Sequence, residues 1–535
     1  MLFVALVLAI FSEAHVAEAD GASRPHIVTI IADDYGWANA GYHRQPGFKE
    51  TVTPSIDALV REGIELDRFY AYHICSPSRS SFQSGRLAVH VNVKNYEPIV
   101  HNPKDPVGGY AGIPRNMTGV AQKMKQAGYR THMTGKWDCG MATLRHTPQG
   151  RGYDSFFGYF HHANDYWTEK IGFSSTGGLD ACQNQFVDLW DTDRPASRAN
   201  GTVYEEELFE NATLSVIQAH DPAVPLFLVH AFHIVHTPQQ VPDEYLQNFS
   251  FIPVEDRRSY HAMVHYMDNV VGRITDALKA KKMWSNTLLV FFSDNGGPLY
   301  ATTGANNYPL RGGKWSDFEG GLRVNAFASG GLIPASLAGT KYEGLISIAD
   351  WYSTFAALAG VDSHDAEAAS VGLPAVDGVN VWPHLTGAAN ASARQEIHLS
   401  TQALLQGKYK IIVGMEWFNL WPGEYYPTEE DETHRPSAPG HGMNYTLNCG
   451  KTGCLFNVFD DPHEKNNLAS AQPALLETMR SRLHHLNKGF YNPNRGKEST
   501  MACKIAAEKY GGFYGPFILD DATVAERSAE EIITI

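Results

Sequence analysis

The chain has 535 residues, more than a single hydrophobic core usually organises, so two domains or one large domain with an appendage are expected. Hydrophobic residues make up 43% of the chain and charged residues 19%, a composition that excludes the disordered class. The formal net charge of -15 at pH 7 argues against a general nucleic-acid-binding protein, because contacts to phosphate need a basic surface.

The N-terminus has the pattern of a signal peptide. An apolar run at residues 2–11 precedes Ala17-Glu18-Ala19, a small-residue pattern of the type that signal peptidase cleaves, which predicts a leader over residues 1–19. A short buried helix is the alternative interpretation. No later segment reaches the roughly 18 uninterrupted apolar residues of a membrane span. We therefore expect a product of the secretory pathway, secreted or lysosomal, without a membrane span.

Asparagine and cysteine patterns agree with secretory passage. The Asn-x-Ser/Thr sequons, each an acceptor pattern for a surface glycan, start at Asn116, Asn200, Asn211, Asn248, Asn390 and Asn444. Six cysteines are too few for a disulfide scaffold, so the core is expected to hold the fold. Cys449 and Cys454 are close enough in sequence to close a small loop, although the spacing leaves the connectivity open.

From about residue 26 to residue 360, apolar runs rich in β-branched residues alternate with helix-like stretches. This alternation predicts buried parallel strands joined by helical crossovers. The candidate strands cover residues 26–32, 129–133, 226–232 and 287–293. The polar or ionisable residues that follow them are Asp33-Asp34, Gly135-Lys136, His233 to His236, and Asp294-Asn295. In open α/β sheets, ligands bind outside the carboxyl ends of the strands, so we expect these clusters to meet at one site.

The sequence pattern changes towards the C-terminus. The elements predicted there are strands at residues 409–413 and 454–459, a long surface loop at 421–451 and a helix at 471–486. After the leader, we therefore divide the chain into an N-terminal domain over residues 20–395, which carries the predicted site, and a C-terminal α+β subdomain over residues 396–535.

A short motif begins at Cys75. Residues 75–79 read Cys-Ser-Pro-Ser-Arg, and Gly85-Arg86 follows. By itself the motif is also explained by a buried cysteine before a helix whose first turn holds Pro77. The motif resembles the Cys-x-Pro-x-Arg tract with which formylglycine-dependent sulfatases mark the residue that is oxidised.

The resemblance implies that a formylglycine-generating enzyme converts Cys75 to formylglycine during maturation. The aldehyde hydrates to a geminal diol, of which one oxygen attacks sulfur and the other hydroxyl then expels sulfate. A serine ester would need water to attack sulfur a second time, so the diol makes the second step of covalent catalysis easier. A position at the start of a helix also favours an anion, because free backbone N–H groups and the helix dipole attract it.

Two of the clusters supply only oxygen ligands. Their members are Asp33, Asp34, Asp294 and Asn295. Oxygen ligands suit a hard cation, Ca²⁺ first and Mg²⁺ second. For either pair alone, an aspartate that caps the next helix is the alternative. Both pairs resemble the metal-binding turns of the sulfatase family residue by residue, and the family adds the residue derived from Cys75 as a ligand. The cation is expected to polarise the sulfate and keep the nucleophilic oxygen deprotonated.

Basic residues and histidines complete the resemblance. The cations that match the family's residues around the nucleophile and the sulfate are Arg79, Lys136 and Lys314. Their expected role is charge neutralisation, and a solvated surface charge is the alternative for each lysine. His236 matches the histidine that contacts the ester oxygen and is expected to protonate the leaving group. His233 is the second candidate for that role, and a structural role is the alternative for His236.

The matches run from about residue 26 to residue 470, and they most resemble the arylsulfatase B-like branch. They imply an alkaline-phosphatase-like α/β fold with a large central, mostly parallel sheet flanked by helices, and a smaller C-terminal α+β domain. The resemblance implies that the domain over residues 20–395 is the catalytic sulfatase domain. The implied reaction is hydrolysis of a sulfate monoester, on a sulfated small molecule such as an aryl sulfate or on a sulfated glycan.

One position departs from the branch. Where its members usually read Gly-Lys-Trp-His, this chain reads Gly-Lys-Trp-Asp, with Asp138 in the place of a histidine that contacts formylglycine. We expect Asp138 to serve as the base that takes a proton from the second hydroxyl of the sulfated residue 75.

Two rival functions follow from the same sequence. A hydrolase of phosphate or phosphonate monoesters would share the fold and the metal site. A secreted binding glycoprotein that has lost catalysis is suggested by Asp138, but the intact Cys-x-Pro-x-Arg tract argues against it.

Overall fold

The computed structural model describes residues 24–172, 179–389, 391–435 and 445–519. The predictions that lie outside these residues are the leader at residues 1–19 and the sequons at Asn390 and Asn444. Within the described ranges, no helix is both long enough and apolar enough to cross a membrane.

The strands of the described residues belong to two larger and two smaller sheets. In chain order they are β1 (His26–Ala32), β2 (Ile64–Leu66), β3 (Phe69–Tyr70), β4 (Val100–His101), β5 (Arg130–Lys136), β6 (Ser155–Tyr159), β7 (Trp190–Asp191), β8 (Arg194–Pro195), β9 (Leu226–Ala231), β10 (Thr287–Ser293), β11 (Ala326–Ser329), β12 (Thr340–Tyr342), β13 (Ile346–Ser347), β14 (Glu396–His398), β15 (Ala403–Gln406), β16 (Tyr409–Glu416), β17 (Leu447–Asn457) and β18 (Lys497–Glu498).

The α-helices lie between these strands. In chain order they are α1 (Pro54–Glu62), α2 (Cys75–Ser84), α3 (Val120–Gln126), α4 (Glu205–Ala219), α5 (Asp243–Gln247), α6 (Glu255–Ala280), α7 (Glu319–Leu322), α8 (Asp350–Ala359), α9 (Ala366–Ser370), α10 (Trp382–Leu385), α11 (Glu429–Glu432), α12 (Pro473–Leu486) and α13 (Thr500–Glu508).

The large sheet has ten strands in the order β12-β2-β11-β10-β1-β9-β5-β6-β7-β8. The five strands from β10 to β6 are parallel, and antiparallel pairing begins at β11 on one side and at β7 on the other. Four neighbouring strands, β10, β1, β9 and β5, are the four that the sequence predicts. Two differ in their ends: β5 continues to Lys136, and β9 already stops at Ala231.

Strand β1 shows why the centre of this sheet is parallel. All seven of its residues are buried, so both faces of the strand must be covered by helices. On one face, Ile27 and Ile31 pack in a core that includes residues of α2, α3 and α8. On the other face, Val28 and Ile30 pack with residues of α1, α4 and α6. The helical layers leave the carboxyl ends of the strands as the place where polar side chains gather.

A second, antiparallel sheet follows in the order β14-β15-β16-β17, and α12 packs on it through Leu476, Met479 and Leu483. The predicted helix is present, but the predicted loop at residues 421–451 is too long. Strand β17 already begins at Leu447, because its backbone pairs with β16 in spite of its glycines.

The last described segment returns to the large sheet's core. Strand β18 pairs with β4, and Tyr514 and Phe517 are buried in that core. A disulfide joins Cys182 to Cys503, and a second one closes the small loop that the sequence suggests between Cys449 and Cys454. The second sheet begins at Glu396, and the division of the chain into domains stays a prediction.

Candidate active site

The four predicted clusters meet at one edge of the sheet. Asp33-Asp34 follow β1, Asp294-Asn295 follow β10, and the histidines follow β9. Lys136 differs from the prediction because it is the last residue of β5 and does not lie in the turn after the strand. Neighbouring parallel strands end side by side, which explains why residues about 100 and 260 positions apart come into contact.

Cys75 is the first residue of α2 and is completely buried. Its Sγ lies 3.6 Å from Asp33 Oδ1, so the start of the helix brings residue 75 to the carboxylates. Burial raises the pKa of the Cys75 thiol well above its usual range, although Lys136 and Lys314 act in the opposite direction. The unmodified side chain is therefore a neutral thiol, which is a poor nucleophile.

Three buried carboxylates pair with three buried cations. Lys136 Nζ donates to Asp33 Oδ2 at 2.5 Å. Arg79 Nε donates to Asp294 Oδ2 at 2.8 Å. Lys314 Nζ lies 2.8 Å from Asp34 Oδ1. Burial, followed by the negative charge of Asp33, raises the pKa of Asp294 to about 6. Each cation is therefore neutralised by a carboxylate, and a metal ion bound to the acids would leave the three cations to bind an anion.

The same acids fit a hard cation. Asn295 Nδ2 donates to Asp34 Oδ1 at 2.7 Å, whereas the buried Asn295 Oδ1 has no hydrogen-bond partner among the described residues. A buried amide oxygen without a donor is expected to bind a cation or water. One ligand atom each from Asp33, Asp34, Cys75 and His236 lie within 4.8 Å of one another. Three carboxylates with an amide oxygen form the donor set that Ca²⁺ and Mg²⁺ prefer.

Both histidines beyond β9 are buried and held through Nδ1. His236 Nδ1 donates to the Thr237 carbonyl at 2.7 Å, and its Nε2 lies 3.6 Å from Asp34 Oδ2. His233 Nδ1 lies 2.9 Å from Glu205 Oε2, within hydrogen-bond distance, and its ring stacks on Tyr166. Burial, followed by Lys314 for His236 and Lys136 for His233, lowers the pKa of each imidazole well below its usual range. His236 is therefore the histidine whose free nitrogen faces the acids.

Asp138 lies at the same edge of the sheet, beyond β5, with a positive φ of 50°. Its Oδ1 accepts from Ser76 Oγ at 2.6 Å and from His162 Nδ1 at 2.8 Å. Its Oδ2 has no hydrogen-bond partner among the described residues and lies 3.8 Å from Lys136 Nζ. Burial alone raises the pKa of Asp138, but His162 and then Lys136 outweigh it and hold the pKa below its usual range. The carboxylate is therefore ionised.

Sequence reasoning did not identify His162 and Ser76. His162 follows β6, the next parallel strand after β5, so the rule that located the other clusters also applies to it. Ser76 stands next to Cys75 in the motif, but only the structure shows its bond to Asp138. The structure brings together all the residues that the sequence singled out, and it adds these two.

Comparisons with known proteins agree with this geometry. The Sulfatase family model matches residues 25–361. Arylsulfatase J of Mus musculus is 33% identical over 485 residues, which cover 88% of this chain and 76% of that protein. N-acetylgalactosamine-6-sulfatase of Canis lupus familiaris is 26% identical over 483 residues, which cover 88% of this chain and 87% of that protein.

A solved structure supports the fold. The crystal structure of Ps i-CgsB in complex with k-i-k-neocarrahexaose is 26% identical, with a TM-score of 0.68, and the match covers 91% of this chain and 99% of that chain. The predicted α/β, alkaline-phosphatase-like fold with a large sheet and a smaller second sheet is confirmed. The chain belongs to the sulfatase family and is a sulfuric ester hydrolase.

Proposed function

We propose that the protein hydrolyses sulfate monoesters with a formylglycine made from Cys75, beside a Ca²⁺ ion. The observation that carries this proposal is the position of Cys75: it begins α2 with its Sγ 3.6 Å from Asp33 Oδ1, among buried cations. A thiol that burial keeps neutral has no evident use there, whereas an oxidised residue 75 supplies a hydrated aldehyde as the nucleophile.

The residues that would hold the cation are Asp33, Asp34, Asp294, Asn295 and the oxidised residue 75. When bound, Ca²⁺, or Mg²⁺ as the second choice, supplies Lewis-acid polarisation of the sulfate ester. The unpartnered Asn295 Oδ1 and the oxygen-rich donor set support this assignment.

The cations are proposed to bind the sulfate group. Arg79, Lys136 and Lys314 are buried within hydrogen-bond distance of the acids, and when a metal ion engages the acids, the monoanionic sulfate ester would take over part of these contacts. In a site that excludes water, fixed donors of this kind stabilise charge without reorganisation.

His236 is proposed to protonate the oxygen of the leaving alcohol. Its Nδ1 is fixed by the Thr237 carbonyl, so Nε2 is the nitrogen that transfers the proton. A negatively charged ester close to the ring favours the protonated imidazole. His233 is the weaker candidate, because its Nδ1 is bound to Glu205 and its ring is stacked on Tyr166.

Asp138 is proposed to be the base at residue 75. Its Oδ2 is buried, ionised and without a hydrogen-bond partner in the described structure, so it accepts a proton from a hydroxyl there. An aspartate remains a base down to about pH 4, whereas a histidine loses this capacity below about pH 6.5.

The substrate class is proposed to be a sulfated glycan, with aryl sulfates as assay substrates. A relative named for N-acetylgalactosamine-6-sulfatase activity and a structure bound to a neocarrahexaose support a carbohydrate. The secretory pathway, with the chain secreted or lysosomal, is proposed as its location and as the place where a formylglycine-generating enzyme acts on it. Two disulfides support an oxidising compartment, and Asn211 and Asn248 are exposed glycan acceptors.

Two measurements test the proposal. Peptide mass spectrometry across Cys75 is expected to show loss of sulfur and gain of a carbonyl in protein from its native source. The same protein is expected to turn over an aryl sulfate faster than the matching aryl phosphate. Faster turnover of the phosphate would favour the phosphate or phosphonate hydrolase, and an unmodified, inactive Cys75 would favour the binding glycoprotein.

A further inference from the structure

Two adjacent histidines after β6 each bind an aspartate, and the two pairs differ. His161 Nδ1 lies 2.7 Å from Asp188 Oδ2, which also accepts from the His161 backbone N–H at 2.7 Å, while Oδ1 accepts from the Phe160 N–H at 3.0 Å. Both oxygens of Asp188 therefore have donors. His162 Nδ1 lies 2.8 Å from Asp138 Oδ1, but Asp138 Oδ2 has no hydrogen-bond partner among the described residues. The first pair is bonded as a structural pair, and the second leaves one oxygen available.

The available oxygen of Asp138 lies beside the lysine that also pairs with Asp33. Ser76 Oγ donates to Asp138 Oδ1 at 2.6 Å, so that oxygen already has two donors. Lys136 Nζ is 3.8 Å from Oδ2 and also donates to Asp33 Oδ2 at 2.5 Å. Asp33 in turn has its Oδ1 3.6 Å from Cys75 Sγ. Oδ2 of Asp138 is therefore the oxygen beside Lys136, and Lys136 also pairs with Asp33, the carboxylate next to residue 75. His162 binds the other oxygen of Asp138, Oδ1.

We propose that His162 is a positioning residue of the hydrolysis: its Nδ1–H holds Asp138 Oδ1, so that Oδ2 is directed to residue 75 and accepts a proton there. The inference rests on the proposed function, in which Asp138 is the base. A carboxylate after β5 and an imidazole after β6, on neighbouring parallel strands, then do together what a single histidine after β5 does in the related motif.

Removal of the imidazole has a defined electrostatic consequence. The charged or titratable groups around Asp138 are Arg79, Lys136, Cys139 and His162. Burial raises the pKa of Asp138, and His162 is the largest of the opposing influences. Without His162 the pKa of Asp138 rises, so the base becomes protonated at a higher pH. The acidic limb of the pH–kcat profile then moves to higher pH, because that limb reports the base in the substrate complex.

Three variants separate a positioning role from a structural one. His162→Phe removes the imidazole and its hydrogen bond, and kcat is expected to fall about 10- to 100-fold, the range found when groups that orient a reacting residue are lost. KM is expected to change less than about 3-fold, because the histidine does not touch the substrate. His162→Gln keeps an N–H donor for Asp138 Oδ1, so its kcat at optimal pH is expected to stay within about 3-fold of the original, while its acidic limb still moves upward.

The matched control is His161→Asn. It disturbs the neighbouring pair with Asp188, whose oxygens already have donors, so it is expected to lower the melting temperature and leave the acidic limb of kcat in place. Formylglycine content is measured by mass spectrometry in each variant, and turnover is expressed per converted molecule.

A second readout does not depend on turnover. In the ¹H–¹⁵N spectrum of histidine-labelled protein, the resonance that disappears in His162→Gln identifies His162. Nδ1 of His162 is expected to carry a proton that is hydrogen-bonded to Asp138, and Asp138→Ala is expected to shift that resonance. An Nδ1 of His162 without a proton in the unsubstituted protein would overturn the inference.

The inference is also wrong if His162→Phe keeps its kcat and acidic limb, or if both His162 variants leave the limb in place. If His162→Phe does not fold, the pH profile of His162→Gln and the ¹H–¹⁵N spectrum still test the positioning role of His162. Failure of the proposed function itself would appear differently, as an unsubstituted protein with converted Cys75 that does not hydrolyse aryl sulfate.

Discussion

Two buried charge clusters have a similar composition and different hydrogen bonding. The strand-end cluster consists of Asp33, Asp34, Asp294, Arg79, Lys136 and Lys314. The junction cluster consists of Glu319, Lys410 and Glu464. In the junction cluster, Lys410 Nζ donates to the Asp317 carbonyl at 2.9 Å and to Glu319 Oε1 at 2.9 Å, and it lies 2.7 Å from Glu464 Oε1. These contacts tie β16 to the start of α7 and place one ammonium group against two buried carboxylates.

The strand-end cluster differs in the surroundings of the unpartnered acceptors. Asn295 Oδ1 and Asp138 Oδ2 are buried beside it and have no hydrogen-bond partner in the described part of the chain. Glu464 Oε1 of the junction cluster has none either, but the Lys410 ammonium lies 2.7 Å from it. Buried charge alone therefore does not identify a catalytic site in this protein. Buried acceptors without hydrogen bonds at the ends of parallel strands do identify the site, because a ligand is needed to satisfy these acceptors.

The largest expected effect concerns Cys75, whose Sγ lies 3.6 Å from Asp33 of the strand-end cluster. Cys75→Ala is expected to lower sulfatase activity by at least about 10⁴-fold, because the nucleophile is lost, as measured by aryl sulfate turnover. Cys139→Ala is the control, since Cys139 is the other buried free cysteine of the described residues, and its activity per folded molecule is expected to be retained. Substantial turnover by Cys75→Ala would remove the distinction between the two clusters.

A matched pair of lysine variants tests the distinction directly. Lys136→Met is expected to lower kcat about 10²- to 10³-fold, because a fixed charge-stabilising group is lost. Lys410→Met leaves two buried carboxylates without their cation, so unfolding in denaturant is expected to show a loss of about 3–5 kcal/mol, with kcat of the folded fraction within about 2-fold. The comparison fails if Lys410→Met inactivates the enzyme without lowering its stability.

Metal addition is expected to act on the strand-end cluster alone. After exhaustive chelation, activity is expected to be lost, and Ca²⁺ at about 100 times its dissociation constant is expected to stabilise the fold by about 2.7 kcal/mol. Asn295→Ala is expected to reduce this stabilisation, whereas Lys410→Met keeps it. Calorimetry with and without Ca²⁺ measures this stabilisation in the unsubstituted protein, Asn295→Ala and Lys410→Met. Full activity in protein verified to be free of metal would exclude this ligand set.

The smallest expected effect is a pH dependence that the junction cluster imposes. Burial raises the pKa of Glu464 from 4.5 to about 7, against the opposing charge of Lys410. Between these values the folded chain holds a proton that the unfolded chain has released, so this group's contribution to stability falls as pH rises from about 4.5 to about 7. Glu464→Gln is expected to flatten that part of the stability curve. The exposed Glu477→Gln is the control, and an equal change in both variants would contradict the assignment.

The sequence predicted β1 and β10 with their observed ends because every residue of these strands is apolar or buried against a helical layer. The predicted end of β5 is too early because the strand's last residues include Gly135 and Lys136. Their sequence is typical of a turn, although both residues pair with β6 in the sheet. The start of β17 was missed for a similar reason, since Gly450 and its neighbours form a strand only through pairing with β16.

The residues of the site divide in the same way. Asp33 and Cys75 are predicted from the sequence because each lies in a short local motif that is typical of a specific chemical role. The Asp138–His162 contact joins two segments 24 residues apart, and the local sequence around either residue does not indicate that the two side chains meet. Contacts across neighbouring strands depend on register and twist, which a single sequence does not contain.

The disulfide between Cys182 and Cys503 encloses a sequence separation of 321 residues. A protease that cuts the backbone anywhere between these cysteines therefore produces two fragments that stay covalently attached. Such a nicked enzyme would migrate as one species in electrophoresis without reductant and as two species after reduction. Maturation by cleavage within this span can therefore proceed without the loss of either fragment from the molecule.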